Sequence, residues 1–157
     1  MDATHDPQRH SWVASAQAPG TDFPIQNLPH GVFRRKGTAE PWRGGVAIGD
    51  EVLDLRAVLD AGLLNPEDRV LVEAAHAAAA PSLNTFMALG PLHWRRLRAA
   101  LSDALQAAHP MRGRTAACLV AQSAVDMRLP ADVGDYTDFF TSADHMLNMG
   151  RLFQPDR

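Results

Sequence analysis

Leu97, Leu101, Leu105 and Ala108 recur every three or four residues, while Arg96, Asp103 and Gln106 fall between them. That period is helical, and it predicts a helix over 91–108 with one apolar face, Trp94 packed near its start and Pro110 as its stop. An earlier helix is announced by Asn65-Pro66-Glu67-Asp68. Asn65 can cap it, proline suits the first helical position, and two acids favour the positive end of the dipole. It is expected to run into the alanine tract before Pro81, alanine being the best helix former.

Elsewhere the period shortens. Gly45-Val46-Ala47-Ile48-Gly49-Asp50-Glu51-Val52-Leu53-Asp54-Leu55 sets two β-prone runs about Gly49-Asp50. This predicts a hairpin whose glycine supplies a positive φ, with Asp54 capping a short helical turn over 56–61. Residues 22–33 alternate but carry two prolines, which suits edge strand or extended chain. Residues 114–125 read as a buried strand, and Pro130 follows before an acidic stretch. Residues 1–20, ending in Ala18-Pro19-Gly20, read as a loose leader. No internal repeat is visible.

Composition narrows the class. With 157 residues and 46% hydrophobic positions, the chain can form one domain, or a small domain and part of a second. A formal charge of −3 leaves no electrostatic footprint for nucleic acid or an anionic membrane. The Arg95, Arg96 and Arg98 cluster reads as the solvated face of a helix. A lone cysteine, Cys118, cannot form an internal disulfide, and its apolar neighbours mark it as a buried small residue. No stretch approaches the length of a membrane span, and the polar N-terminus has no apolar signal core. A soluble, cytoplasmic protein without nucleic-acid or membrane partners is expected.

The chemistry-bearing stretch is Gly134-Asp135-Tyr136-Thr137-Asp138-Phe139-Phe140-Thr141-Ser142-Ala143-Asp144-His145. Hard oxygen ligands beside one titratable imidazole are parts of a metal-assisted hydrolytic site. Asp138 is the leading ligand candidate, although a turn aspartate is the ordinary reading of such a residue. Asp135 follows a glycine and reads as a turn residue, and Asp144 can cap a helix starting at His145. His145 can take a proton from water, or serve as a surface histidine. His30, His76, His93 and His109 have no comparable neighbours in sequence. Zinc-hydrolase histidine spacing, a serine elbow, a P-loop and a dinucleotide fingerprint are all absent from the sequence.

Four segments resemble fumarylacetoacetase, in its order and at its approximate spacing. They are Asp22-Phe23-Pro24-Ile25-Gln26-Asn27-Leu28-Pro29-His30-Gly31-Val32-Phe33, Gly45-Val46-Ala47-Ile48-Gly49-Asp50, Ser82-Leu83-Asn84-Thr85-Phe86-Met87-Ala88-Leu89-Gly90 and Leu129-Pro130-Ala131-Asp132-Val133-Gly134-Asp135-Tyr136-Thr137-Asp138-Phe139. The resemblance implies an α+β, mainly β architecture. An SH3-like barrel with packed helices would occupy 21–128 after the leader 1–20, and the start of a mixed β-rich catalytic domain would occupy 129–157. It also implies hydrolysis of the C–C bond of 4-fumarylacetoacetate to fumarate and acetoacetate, the last step of tyrosine and phenylalanine catabolism. The intact family takes a small diketo-acid substrate, uses Ca²⁺ (and Mg²⁺), and forms homodimers. By resemblance Asp138 supplies a carboxylate to the Ca²⁺ site and His145 is the base, while Asp135 and Asp144 keep local structural roles.

Two positions depart from the family. Phe140 stands where a substrate-touching tyrosine is usual, keeping the ring and losing a donor worth about 1.5–3 kcal/mol toward a charged ligand. Gln154 stands in place of a substrate-binding arginine, without its charge or bidentate fork. The family's remaining metal carboxylates and catalytic lysine lie further along than this chain extends. The expectation is therefore a truncated chain, inactive alone. The alternative is a free-standing binding or regulatory domain derived from the family. A relative acting on another β-dicarbonyl such as an acylpyruvate is a third reading, motivated by Phe140 and Gln154.

Overall fold

The computed structural model describes residues 2–139 and 141–154. Among them six α-helices and five strands form an α+β unit built on one antiparallel sheet of order β4-β3-β2-β1-β5.

The centre of the sheet is a meander of β1 (His30–Arg35), β2 (Arg43–Ile48) and β3 (Glu51–Asp54). Gly49 turns the β2–β3 hairpin with φ +57°, as its position in the sequence predicts. A side chain there would also strike Ser15 and Ala16. The extended segment ahead of β1 agrees with the proline pattern, but β1 is an interior strand, paired with β2 on one side and β5 on the other. Both prolines precede the strand, so no ladder donor is lost.

Asp54 ends β3 and begins α1 (Leu55–Asp60), where its Oδ1 accepts from the backbone N–H groups of Arg56 and Ala57. Its Oδ2 accepts from Arg43 Nε at 2.8 Å, and both residues are buried. The same guanidinium pairs with Glu40 at 3.0 Å and lies over the Phe33 ring. Burial works against the charge on Arg43, but the hydrogen bond and charge of Asp54, then those of Glu40, hold its pKa above the ordinary value.

α2 (Arg69–Ala78) and α4 (Pro91–Leu105) pack against each other over the same face of the sheet. α2 buries Leu71, Ala74, Ala75 and Ala78, a stripe of mostly alanine at helical spacing. Small side chains let its end approach the sheet so closely that a Cβ on Gly44 would lie 1.6 Å from the Ala78 carbonyl oxygen. The Gly44 N–H donates to the Ala79 carbonyl there. The cap of α2 is Asp68, accepting from Leu71 N–H at 2.9 Å, and not Asn65. Asn65 instead bonds the Glu67 N–H in a turn one step earlier, so the helix starts later than its sequence signals suggest.

α4 presents the predicted face, with Leu97, Leu101 and Leu105 buried. Each such leucine contributes about 1.5–3 kcal/mol through burial. The helix stops at Leu105, short of Ala108, because the N-terminal segment takes over its free carbonyls. Trp12 Nε1 donates to the Ala104 carbonyl, Ser11 Oγ and Trp12 N–H donate to that of Leu105, and Ser11 pairs with Gln106 as a β-bridge. The expected loose leader therefore differs from the structure, where Thr4, Ser11, Val13 and Ala16 are buried.

The expected strand over 114–125 is broken into pieces. α5 (Arg112–Ala116) comes first, its Met111 carbonyl accepting from both Thr115 N–H and Thr115 Oγ1. β4 (Leu119–Ala121), a single 3-10 turn and β5 (Val125–Arg128) follow. Cys118 is buried, and burial raises its thiol pKa, which suits an inert packed residue.

β4 and β5 occupy opposite edges of the sheet, yet only residues 122–124 join them. Four flat strand spacings would need about 19 Å, while four chain steps reach about 14 Å at most. The sheet must therefore curl until its edges approach. Phe33, Val52, Val120 and Val125, drawn from four strands, accordingly pack into one cluster. Gln122 pins the closure by bonding the backbone of Gly49, Asp50 and Glu51 at the hairpin.

α3 (Asn84–Leu89) buries Phe86, which lies against the His30 ring at 4.8 Å between centroids. α6 (Ala143–Phe153) comes after an irregular acidic stretch and buries none of its residues. No helix of the described residues is long and apolar enough to cross a membrane.

Candidate functional site

The acidic segment leaves the folded unit through a clasp. Leu83 N–H donates to the Pro130 carbonyl at 2.7 Å. The Asn84 side chain then exchanges two bonds with the backbone of Asp132, donating from Nδ2 to its carbonyl and accepting its N–H on Oδ1, both at 2.9 Å. Arg128 pairs with the Asp132 carboxylate at 3.3 Å. The side-chain amide of asparagine carries the donor and acceptor needed to mimic a strand partner.

Beyond the clasp Asp135, Tyr136, Asp138 and Phe139 are exposed and outside regular structure. α6 begins with Ser142 as its cap, accepting from the His145 N–H at 3.3 Å. Asp144 sits inside the first turn and is not the cap anticipated from the sequence; there its charge favours the helix dipole. His145 is exposed in that same turn. Gln154 is exposed and closes the helix by donating its N–H to the Gly150 carbonyl. Phe140 lies outside the described residues.

Among the described residues no three His, Cys, Asp or Glu side chains gather into a group that could hold a metal ion. Calcium takes about six to eight oxygen ligands. Asp138 thus offers one exposed carboxylate, and the donor set of the described residues does not fit a calcium ion by itself.

Three features of the folded unit have no local sequence signal. The Asn84–Asp132 clasp joins two distant motifs, and only the recurrence of polar residues at both points to it. The sequence groups Arg98 with Arg95 and Arg96 on one solvated face. In the structure Arg96 pairs with Asp68, whereas Arg98 is half-buried and reaches Thr4 and Gln26. His30 likewise has distinctive surroundings: burial, and after it the charge of Arg98, lower its pKa to about 4.

The four sequence segments that resemble one family meet in space. Gly49 N–H donates to the Phe23 carbonyl and Ala47 N–H to that of Pro29. His30 lies on Phe86, and Asn84 holds Asp132. Together they define an α+β unit with a curled antiparallel sheet that delivers an acidic, histidine-bearing segment from its edge.

Residues 26–130 match the family Fumarylacetoacetase N-terminal, and the chain belongs to that family. It is 47% identical over 143 residues to the fumarylacetoacetase of Oryza sativa subsp. japonica, covering 87% of this chain and 33% of the relative. The fumarylacetoacetases of Rattus norvegicus and Homo sapiens are 40% and 39% identical, over 87% of this chain and 32% of their own length. The chain thus spans about a third of the curated relatives it matches.

Proposed function

We propose that this chain serves the hydrolysis of 4-fumarylacetoacetate, supplying the N-terminal unit of the enzyme and the first residues of its catalytic region. Support comes from the convergence of the four family-like segments on one another and on the exit of the acidic stretch. The curled five-stranded sheet is consistent with an SH3-like barrel. In this reading His145 takes a proton from water. The water oxygen then bonds to the fumaryl carbonyl carbon, the C–C bond breaks, and the departing acetoacetate carbon gains a proton. Asp138 would give one carboxylate to a divalent cation, Ca²⁺ or Mg²⁺, whose chemistry is stabilisation of charge on the dicarbonyl oxygens. Phe140 and Gln154 are the substrate-side positions, and homodimerisation and a cytoplasmic setting belong to the same proposal.

The test is a chimaera carrying residues 1–154 of this chain in place of the matching part of the rice relative. Loss of diketone absorbance should occur with the chimaera and not with this chain alone. His145→Ala or Asp138→Asn in the chimaera should lower kcat by at least ~100-fold. A folded chimaera without turnover would sink the reading.

A second reading, a binding or regulatory unit, is favoured by the exposed apolar side chains of α6, among them Met146, Leu147, Leu152 and Phe153. Recovery of a defined partner by the chain alone, lost on Leu147→Asp, would support it; a monomer that captures nothing would end it.

A further inference from the structure

A cavity of about 370 Å³ opens between α3, α4 and the start of β1. It is formed by other residues than the acidic segment, and its interpretation does not depend on the hydrolase reading. Small-ligand pockets span about 300–1,000 Å³. Phe86, Met87, Trp94 and Leu101 wall this one, and its polar groups come from His30 and Arg98.

Those two residues are incompletely satisfied. Arg98 donates from Nε to Thr4 Oγ1 at 2.8 Å and from one terminal nitrogen to the Gln26 carbonyl at 2.5 Å. Both acceptors are uncharged. No described carboxylate forms an ion pair with Arg98, so a half-buried cation borders apolar and aromatic walls without a counter-charge. Beside it the Nδ1 of His30 is a buried polar atom without any hydrogen-bond partner. The ring is neutral at pH 7, because burial and then the Arg98 charge depress its pKa. A buried polar atom left unpaired costs about 1–3 kcal/mol, which a ligand atom can recover.

One chemical group answers both needs. A carboxylate accepts from the guanidinium on one oxygen, and its charge balances Arg98; the buried His30 Nδ1 meets the other oxygen once the ring turns toward the cavity. The Phe86 and Trp94 rings suit an aromatic body, and Met87 adds a polarizable thioether. We propose that this pocket binds a small aromatic monocarboxylate, with its ring against Phe86 and Trp94 and its carboxylate on Arg98 and His30.

Titration of the wild-type chain with 3-phenylpropionate, followed by NMR, tests this. Saturable shifts should appear at His30, Phe86 and Trp94 with a Kd of about 0.1–1 mM. The uncharged 3-phenylpropionamide should bind about 10-fold more weakly or worse. The His30 imidazole should titrate at higher pH when the acid is bound, since an anion beside it favours the protonated ring. Arg98→Met should cost the acid the same factor and leave the amide unchanged. Equal affinity of acid and amide on the wild-type chain, or shifts confined to other residues, would overturn the proposal without any variant having to fold.

Discussion

Leu97 is fully buried in α4, and Tyr136 is 89% exposed a short way down the chain. Both are large side chains, and the difference lies in what surrounds them. Up to the clasp at Asp132 the chain supplies its own neighbours: helices for the sheet, a leader for the end of α4, an arginine for Asp54. After it most side chains are exposed, Asp135, Asp138 and His145 among them. A scaffold closes on itself through packing, whereas a catalytic segment needs groups converging from several directions. The two regions should therefore answer mutation differently, the first losing stability and the second keeping it.

The sharpest separation is expected at Asp54. Asp54→Ala removes the α1 cap and strands the buried Arg43 charge, which should cost about 3–5 kcal/mol in urea unfolding. A cost under about 1 kcal/mol would show that this pair does not anchor the sheet to its first helix.

Next in size is acid lability through His30. Its folded pKa, about 4, lies below the ordinary value of 6.5, so the unfolded chain binds the extra proton in between. The stabilisation is complete above pH 6.5 and disappears as pH falls toward 4, a loss of roughly 3 kcal/mol. Asp2, Glu40 and Asp68 have lowered folded pKa values, so their contributions disappear at more acidic pH, as pH falls through those values. Glu51, whose pKa is raised by burial and then by the charge of Asp50, works the opposite way above pH 4.5. His30 is therefore isolated by difference: His30→Gln should flatten the slope of urea midpoints between about pH 6.5 and pH 4.5.

Asn84→Ala opens the boundary between the regions. Loss of two hydrogen bonds should cost about 1–2 kcal/mol, with faster amide exchange at Asp132 as the local sign. At the small end, Asp138→Asn and Leu147→Ser should each move stability by no more than ~0.5 kcal/mol. A larger effect from either would mean that the segment is part of the folded unit after all, and the contrast between the two regions would fail.

What could be read in the sequence follows the same division. The Gly49 turn, the Asp54 cap and the Leu97–Leu101–Leu105 face are set by residues within a turn or two of each other, and all three were legible. The anchoring of the leader was not, because Ser11 meets Gln106 across nearly the whole unit. The strand expected over 114–125 holds only at Leu119–Ala121 and Val125: its polar start, Arg114 and Thr115, belongs to α5, where Thr115 bonds back to Met111, and a 3-10 turn takes Gln122–Ala124. Asn65 and Asp68 are both good caps, and only the pairing of Asp68 with Arg96 and Leu71 favours the later start. Asp138 and His145 stand out as residue types, but the roles proposed for them rest on resemblance, since spacing alone leaves a turn aspartate and a surface histidine as ordinary readings. Arg98 and His30 carried no sequence signal, because their character comes from burial.

The curled sheet also imposes an order of assembly. β1 through β3 can pair as soon as they leave the ribosome, but β1 gains its second neighbour only when β5 arrives from the far end of the unit. Until then the nascent chain carries the inner strand of its finished sheet as an open edge, with Val32 and Phe33 available to any passing strand. The brief 122–124 link delivers β5 directly after β4, so the interval between closing one edge and closing the other is only a few codons long.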